Sequence, residues 1–372
     1  MASGQDTEFL VIGGGVVGAA IAYGLLRRGR TVRLLDEGDD AFRAARGNFG
    51  LVWVQGKGAG NPGYARWSCA AARDWQGFAD ELEHRTGTDL QLQQAGGMHL
   101  CLNDDEMAAR QLELDTVASR IGEPYPYEML DPAQLARLLP SVGPEVVGGS
   151  FSPLDGHVSP LRLLKALHQA IDALGAQHEA GVRIDDLAHV GGRFVARAPN
   201  HVFEADRVVL AAGLGNALLA PMLGLEAPVT PVRGQVLVCE RAAPFLPLPT
   251  LHVRQTGDGS VQIGDSKENV GMDDGTSIDQ LSRIAARAVR CFPVLANVNV
   301  VRAWGALRVM TPDGLPIYEE SPTCPGAFVV TCHSGITLAS AHAGVLAAWL
   351  DGGERPAHID TFTADRFHVQ RS

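Results

Sequence analysis

Residues 9 to 36 constrain the fold more than any other part of the chain. The run EFLVIGGG reads as a short buried strand ending in glycines. VVGAAIAYGLLRRG reads as a helix with small residues on one face, and RTVRLLDEG as a second strand. This order is a βαβ unit, which calls for a parallel sheet with helices packed on it. Inside it, Gly13, Gly15 and Gly18 stand in GxGxxG spacing. The first glycine allows a tight turn, the second lets a pyrophosphate approach the backbone, and the third lets helix and strand pack closely. The helix N-terminus then meets the phosphates with its partial positive charge. Asp36 ends the second strand, where a carboxylate accepts hydrogen bonds from a ribose diol and repels a 2′-phosphate. The glycines alone are a weak signal. Flanked by both strands and the acid they indicate a dinucleotide site, against the alternative of a structural glycine turn in an unrelated α/β protein.

A chain of 372 residues suggests about two domains. Its 46% hydrophobic and 20% charged residues are ordinary globular composition. The net charge of −11 and the lack of a Lys/Arg cluster argue against a nucleic-acid-binding role. The six cysteines, Cys69, Cys101, Cys239, Cys291, Cys324 and Cys332, include no CxxC pair, so neither a zinc knuckle nor an iron–sulfur site held by this chain alone is expected, and no metal site is assigned. Scattered single cysteines suggest a reducing compartment, and a cytoplasmic location is expected. The start, MASGQDTEFL, lacks the basic and apolar regions of a signal peptide. Two apolar runs, 208 to 225 and 334 to 350, are interrupted by Gly, Pro, Asn or His and read as buried strand, turn and helix rather than as membrane spans. Peripheral attachment stays open.

Further along, residues 64 to 84, 104 to 121, 131 to 139 and 276 to 290 read as helices. Residues 158 to 175 read as a helix capped by Ser159, with Pro160 at its first position. DLQLQQAGGMHLCLN alternates like two strands around a Gly-Gly turn, and 229 to 266 is rich in strand patterns. The fold class expected is α/β, with an α+β second domain. A Rossmann-like nucleotide domain is assigned to 1–80, 150–220 and 315–372. A sheet-floored substrate domain, inserted rather than appended, is assigned to 81–149 and 221–314.

The βαβ unit cannot distinguish FAD from NAD. ADRVVLAAGLGNALLAPMLG (205 to 224) and FVVTCHSGITLASAHAGVLAAWL (328 to 350) are each a buried strand running into a small-residue turn and a helix, and the second turn presents Gly335, Ile336, Thr337 and Leu338 as backbone donors. With VIGGGVVGAAIAYGLLRRG, Asp36, DGHVSPLRLL, VVLAAG, PVRGQVLV, WGALRVMTPDGLPIYE and HSGITLA, the chain resembles the glycine oxidase/D-amino acid oxidase family of FAD-dependent amine oxidoreductases over essentially its whole length. The resemblance implies FAD, its ring lying between a nucleotide domain and a sheet-floored substrate domain. That family usually has Glu at the ribose position, and Asp36 is a shorter acid in the same role. The cofactor contacts it implies are Gly13, Gly15, Val16, Val17 and Gly18 at the first turn, and Asp36 and Glu37 after the second strand. Further along they are Val182, Ala212, Gly213, Gly305 and Arg308, and His333 with Gly335 to Leu338 near the C-terminus.

The stretch GNFGLVWVQGKG, residues 47 to 58, holds four glycines, a Trp and a single charge, Lys57. It is too glycine-rich for a core strand and too apolar for a surface loop. A chain passing a flat flavin ring must come close without side chains and then exclude water. Gly47 and Gly50 permit the approach, and Phe49, Leu51, Val52 and Trp53 supply dry walls. Arg43 or Arg46 would meet phosphate, with Asn48 in the same loop. The plain alternative is a core strand, Leu51 to Val54, between ordinary turns. The string is more similar to the flavin-bearing β subunits of opine oxidases or dehydrogenases, D-hydroxyproline dehydrogenases and hydrogen cyanide synthase than to single-chain oxidases. That likeness implies partner subunits carrying iron–sulfur or further flavin centres.

Amino-acid substrates bring a carboxylate, which a planar guanidinium binds bidentately. Arg308, in WGALRVMTPDGLP, matches the family's carboxylate-binding arginine; its alternative is a surface salt bridge. His252 and Arg254, in TLHVRQT, are further candidates on the floor sheet. An extra arginine suits a second carboxylate, although Arg254 fits a solvated strand position equally well and His252 fits a structural histidine. His157 suits capping or packing, and His333 precedes the flavin turn. The reaction implied is loss of hydride from the carbon of a deprotonated amine to flavin N5, giving an imine that hydrolyses. No catalytic base is named. The leading reading is the flavin subunit of a dye-linked, multi-subunit dehydrogenase acting on an opine or a D-hydroxyproline-like amine. The alternatives are a single-chain glycine, sarcosine or D-amino acid oxidase, a non-catalytic FAD-bearing electron-transfer subunit, and an NAD-dependent dehydrogenase, which the C-terminal glycine turn disfavours.

Overall fold

A computed structural model describes residues 7–38 and 44–368. The first strand, Phe9–Ile12, is wholly buried and pairs in parallel with Val32–Asp36 on one side and Arg207–Leu210 on the other. Such two-sided burial explains why it reads as a continuous apolar run. Gln177–Ala180 extends this sheet at one edge; Ala327–Thr331 and the antiparallel Ile317–Glu320 complete the other. The six strands thus come from four separated stretches of chain, with a helix, Val16–Arg27, crossing from the first to the second.

That helix is packed through its missing side chains. A Cβ on Gly18 would stand 1.9 Å from the carbonyl oxygen of Gly13, and one on Gly24 would stand 2.3 Å from that of Ala343. The C-terminal helical segment, Ala339–Leu350, therefore lies directly on the nucleotide helix. The expected cap of the helix Pro160–Ala173 is corrected here: Ser159 occupies the N-cap position but its side chain makes no capping bond. The two strands expected around Gly96 and Gly97 reduce to one, Gly97–Cys101; before it, Gln93 forms only an isolated bridge to His157.

A second layer is an antiparallel sheet in the order Val253–Gln255, Ser260–Ile263, Thr230–Arg241, Val300–Met310. One face carries Leu237, Val253, Val261 and Ile263 and packs on the helix Ile278–Cys291 through Ile284, Ala288 and Cys291. The other face carries the row Arg254, Gln262, Val238 and Arg302, since directly opposed residues share a face. Alternation then puts Trp304, Ala306 and Arg308 on that face too. A three-stranded sheet, Gly97–Cys101, Gly148–Ser152 and Glu128–Leu130, joins the floor through Met98, which bonds to Pro249 and Leu251. Gly148–Ser152 thus straddles residue 150, where a domain boundary was drawn. Among the described residues, no helix is long and apolar enough to cross a membrane, and no group of three or more His, Cys, Asp and Glu could hold a metal ion.

The Gly13–Gly18 contact allows no side chain. Gly18→Ala is expected to cost about 1–3 kcal/mol and to lower FAD retention together with the denaturant midpoint. An unchanged midpoint would show that the helix can shift away from the first strand freely.

Candidate functional site

A groove of about 1270 Å³ runs from the end of Val32–Asp36 to the turn after Ala327–Thr331. It exceeds the roughly 300–1,000 Å³ of ordinary small-molecule sites and suits an extended ligand. At one end Gly13, Gly15, Val16 and Val17 line it. Gly13 has φ 111°, and a Cβ there would stand 2.4 Å from the carbonyl oxygen of Ala211, so only glycine can make this turn. A Cβ on Gly15 would meet only Ala45, at 3.8 Å, which leaves the backbone open to the groove. Asp36 accepts from Gly14 N at 2.7 Å and from Gly38 N at 2.8 Å. Each carboxylate oxygen keeps a lone pair for a diol. Glu37, Arg46, Asn48, Val182, Ala212 and Gly213 also line the groove, and His333, Gly335 and Ile336 close its far end. Arg43 lies outside the described residues.

The structure places several expected contacts elsewhere. Gly18 is consumed by helix packing, as above. A Cβ on Gly305 would stand 2.4 Å from Gly275 O and 2.5 Å from Asp274 O. That glycine admits a crossing segment, and its neighbours Leu307 and Val309 line the groove instead. Leu338 is wholly buried in the core. Gly50 has φ 90°, and its Cβ would collide with Val158 O, while Leu51 pairs with His157. Both serve the small sheet between Leu51–Val52 and Gly156–His157. Thr337 turns its hydroxyl away from the groove lining, accepting from Trp53 N at 3.1 Å and Lys57 Nζ at 3.0 Å. The carbonyls of Ile336 and Thr337 accept from Trp75 Nε1 at 3.1 and 3.0 Å, and Tyr64 bonds Ser334 at 2.7 Å. The C-terminal turn is thereby fixed by the glycine-rich stretch and by the helix Pro62–Thr86.

The glycine-rich stretch lies against the floor. Trp304 Nε1 donates to Gly47 O at 3.2 Å, Phe49 packs on Gly264, and the Arg254 guanidinium stands 5.8 Å from the Phe49 ring. Arg254 is not solvated: it is 2% exposed. It donates to Gln262, to His157 Nδ1 at 3.1 Å and to Val158 O, and among the described residues it has no ion-pair partner. Burial lowers its pKa to about 10. His157 is thus the packing group expected of it, held neutral by burial and then by Arg254, at about 3. Arg308 crosses Gly234, where no side chain fits, and donates to Ser266 O at 2.7 Å and to the Asp265 carboxylate. His333 is kept neutral at about 3, first by burial and then by Lys57, Arg308 and Lys267. Burial likewise holds His252 at about 4. Arg308, Lys267 and Lys57 therefore all bear on His333, which closes one end of the groove, with Arg254 beneath Phe49.

Residues 8–349 match the family described as DAO, FAD dependent oxidoreductase. The chain belongs to the DAO family. An opine oxidase subunit of Agrobacterium tumefaciens (strain Ach5) is 41% identical over 368 residues, covering 99% of both chains; its Rhizobium meliloti counterpart is 38% identical over the same share. Glycine oxidase of Pseudomonas putida is 29% identical over 94% of this chain and 96% of its own. The crystal structure of glycine oxidase from Geobacillus kaustophilus superposes with a TM-score of 0.89 at 25% identity, covering 99% of this chain and all of that one. As a member of the DAO family, the chain is an FAD-dependent oxidoreductase, and the groove has the length, glycine turns and carboxylate that FAD requires.

Sequence reasoning passed over several residues here. His168 donates to Gly14 O at 2.8 Å and, with His178, lines the groove; its signal was the spacing of Leu164 and His168 on one helix face. Asp155 accepts from Val54 N and Gln55 Nε2, and burial raises its pKa to about 7. Gln55 continues to Ser150 and Arg110, tying the glycine-rich stretch to the helix Asp104–Ile121. Lys57 was visible as a lone charge. Burial lowers its pKa to about 8, against the opposing pull of Asp155. The unfolded lysine stays protonated to about pH 10.4, so between these values the unfolded state binds more protons and stability rises with pH. Lys57→Met is expected to remove that rise, so that the wild-type melting temperature climbs relative to the variant's from about pH 8 to 10. Parallel curves would mean Lys57 keeps its proton when buried.

Proposed function

We propose that this chain is the catalytic flavin subunit of a multi-subunit, dye-linked dehydrogenase that oxidises an amino-acid-derived amine of the opine or D-hydroxyproline-like class. In this reading 1–80, 150–220 and 315–372 carry FAD, and 81–149 and 221–314 form the substrate unit. The carrying observation is Arg308: a half-buried guanidinium on the floor-sheet face that also carries Arg254 and Trp304, bearing electrostatically on His333 at the end of the FAD groove. Full-length likeness to two proteins named as opine oxidase subunits supports the subunit role. Partner chains carrying iron–sulfur or further flavin centres would then receive the electrons, in a cytoplasmic complex.

Bound FAD supplies a hydride acceptor. The chain does the rest. Arg308 anchors the substrate carboxylate in a fork, which fixes the carbon bearing the amine. Phe49, Trp53 and Trp304 wall the approach. Lys57, Lys267 and Arg308 make the groove end positive, which favours an anionic substrate and opposes protonation of His333. Arg254, buried with no ion-pair partner among the described residues, adds positive potential under Phe49 and suits a substrate with a second carboxylate. The amine's product is an imine, which water hydrolyses after release.

A second reading, a single-chain oxidase, is favoured by the match to a glycine oxidase structure over its whole length. The two differ in electron acceptor. Flavin bands of the purified chain are expected to bleach when octopine, nopaline or D-hydroxyproline is added without oxygen. Return of colour on admitting air, with peroxide, would favour the oxidase. Arg308→Ala is expected to lower kcat/KM at least about 100-fold, since a charged hydrogen-bonding pair is lost. Unchanged turnover would remove Arg308 as the carboxylate anchor, and bands that no amine bleaches in the intact complex would remove the proposed activity and favour a non-catalytic subunit.

A further inference from the structure

We propose that Asp265 recognises the substrate's amino nitrogen, and so separates amino acids from plain carboxylic acids. This rests on Arg308 as the carboxylate anchor. Arg308 has two acceptors, which differ in kind. Ser266 O is a backbone oxygen fixed where the floor strand ends, whereas Asp265 offers a side chain that is 32% exposed. A guanidinium has five N–H donors, so an arriving carboxylate shares Arg308 with Asp265 or displaces it. In either arrangement two carboxylates meet at one guanidinium. Two like charges at one cation repel unless a second positive or donor group lies between them.

An α-amino acid brings that group. Its nitrogen and carboxylate stand on the same carbon, so a nitrogen carried to Arg308 with its carboxylate arrives beside Asp265. The surrounding side chains leave few other acceptors. Lys267, Arg308 and Lys57 only donate. The Glu106 carboxylate is taken by Arg287, which donates to it at 2.8 and 3.0 Å. His252 stands near enough for Asp265 to oppose the lowering of its pKa, and His333 faces three cations. Asp265 is the carboxylate among these groups that both reaches Arg308 and remains accessible. Gly264 holds it at the edge of the Phe49 ring, the wall past which a substrate must lie. A plain carboxylic acid would meet Asp265 as uncompensated repulsion, which supplies the discrimination.

The test uses FAD-loaded protein and two probes of matched shape. 2-Aminoisobutyrate has no hydrogen on its α-carbon and cannot give up hydride; isobutyrate lacks the amine. Each is titrated by its perturbation of the flavin spectrum. Wild type is expected to bind 2-aminoisobutyrate at least about tenfold more tightly, the worth of one hydrogen bond to a charged group. Asp265→Asn, which keeps the shape, is expected to abolish the preference by weakening 2-aminoisobutyrate while isobutyrate binds as well or better. Wild type without a preference, including silence toward both probes, would overturn the proposal. So would a preference that survives in Asp265→Asn, or an equal weakening of both probes, which is what mere support of Arg308 predicts. Should Asp265→Ala lose its flavin, the Asn variant carries the test alone. Failure of the anchor reading looks different: Arg308→Lys would then bind both probes as wild type does, whatever their ratio.

Discussion

The architecture depends on backbone passing over backbone without a Cβ between. Gly13 sits against the carbonyl of Ala211, Gly18 against that of Gly13, and Gly24 against that of Ala343. These contacts bring the beginning, middle and end of the chain to one helix. The groove exists because strand ends from all three regions finish at the same level. A methyl group at Gly13 or Gly24 would push apart segments far separated in sequence, and one at Gly18 would push the helix off the turn that precedes it.

From this point the C-terminal turn is held by polar contacts. Thr337 takes two donors from the glycine-rich stretch, and Trp75 donates to two carbonyls of the turn. Buried polar groups are costly unless paired, so these bonds specify one arrangement of the turn. The stretch 47 to 58 is therefore neither a simple core strand nor a simple loop. Leu51 and Val52 form a short strand, Val54 and Gln55 bind a buried acid, and Lys57 reaches the turn. Its glycines let it thread between the two sheets.

Much of the fold was legible because its signals are local. The βαβ unit, the helix Asp104–Ile121 and the strand–turn–helix after Arg207 all follow from periodicity and local composition. Partners across sheets were not legible. Periodicity says which face of a strand Arg254 or Arg308 occupies, but not that one is buried under Phe49 while the other meets Asp265, 43 residues away. The family resemblance implies Gly305 as a cofactor contact; it could not reveal that the group approaching this glycine is the chain's own segment at Asp274 and Gly275. Asp265 carried no motif, since its meaning arises only when two strand ends meet.

The protein bears a net charge of −11, yet Lys57, Lys267, Arg308 and Arg254 make the groove end a positive well. An anionic substrate thus faces repulsion from afar and attraction only within roughly 8 Å, about the screening length at physiological ionic strength. The two regimes respond oppositely to salt. Screening relaxes the distant repulsion while leaving the buried cations largely unscreened, so an anionic ligand of the groove would be captured more readily in a salty medium than in a dilute one.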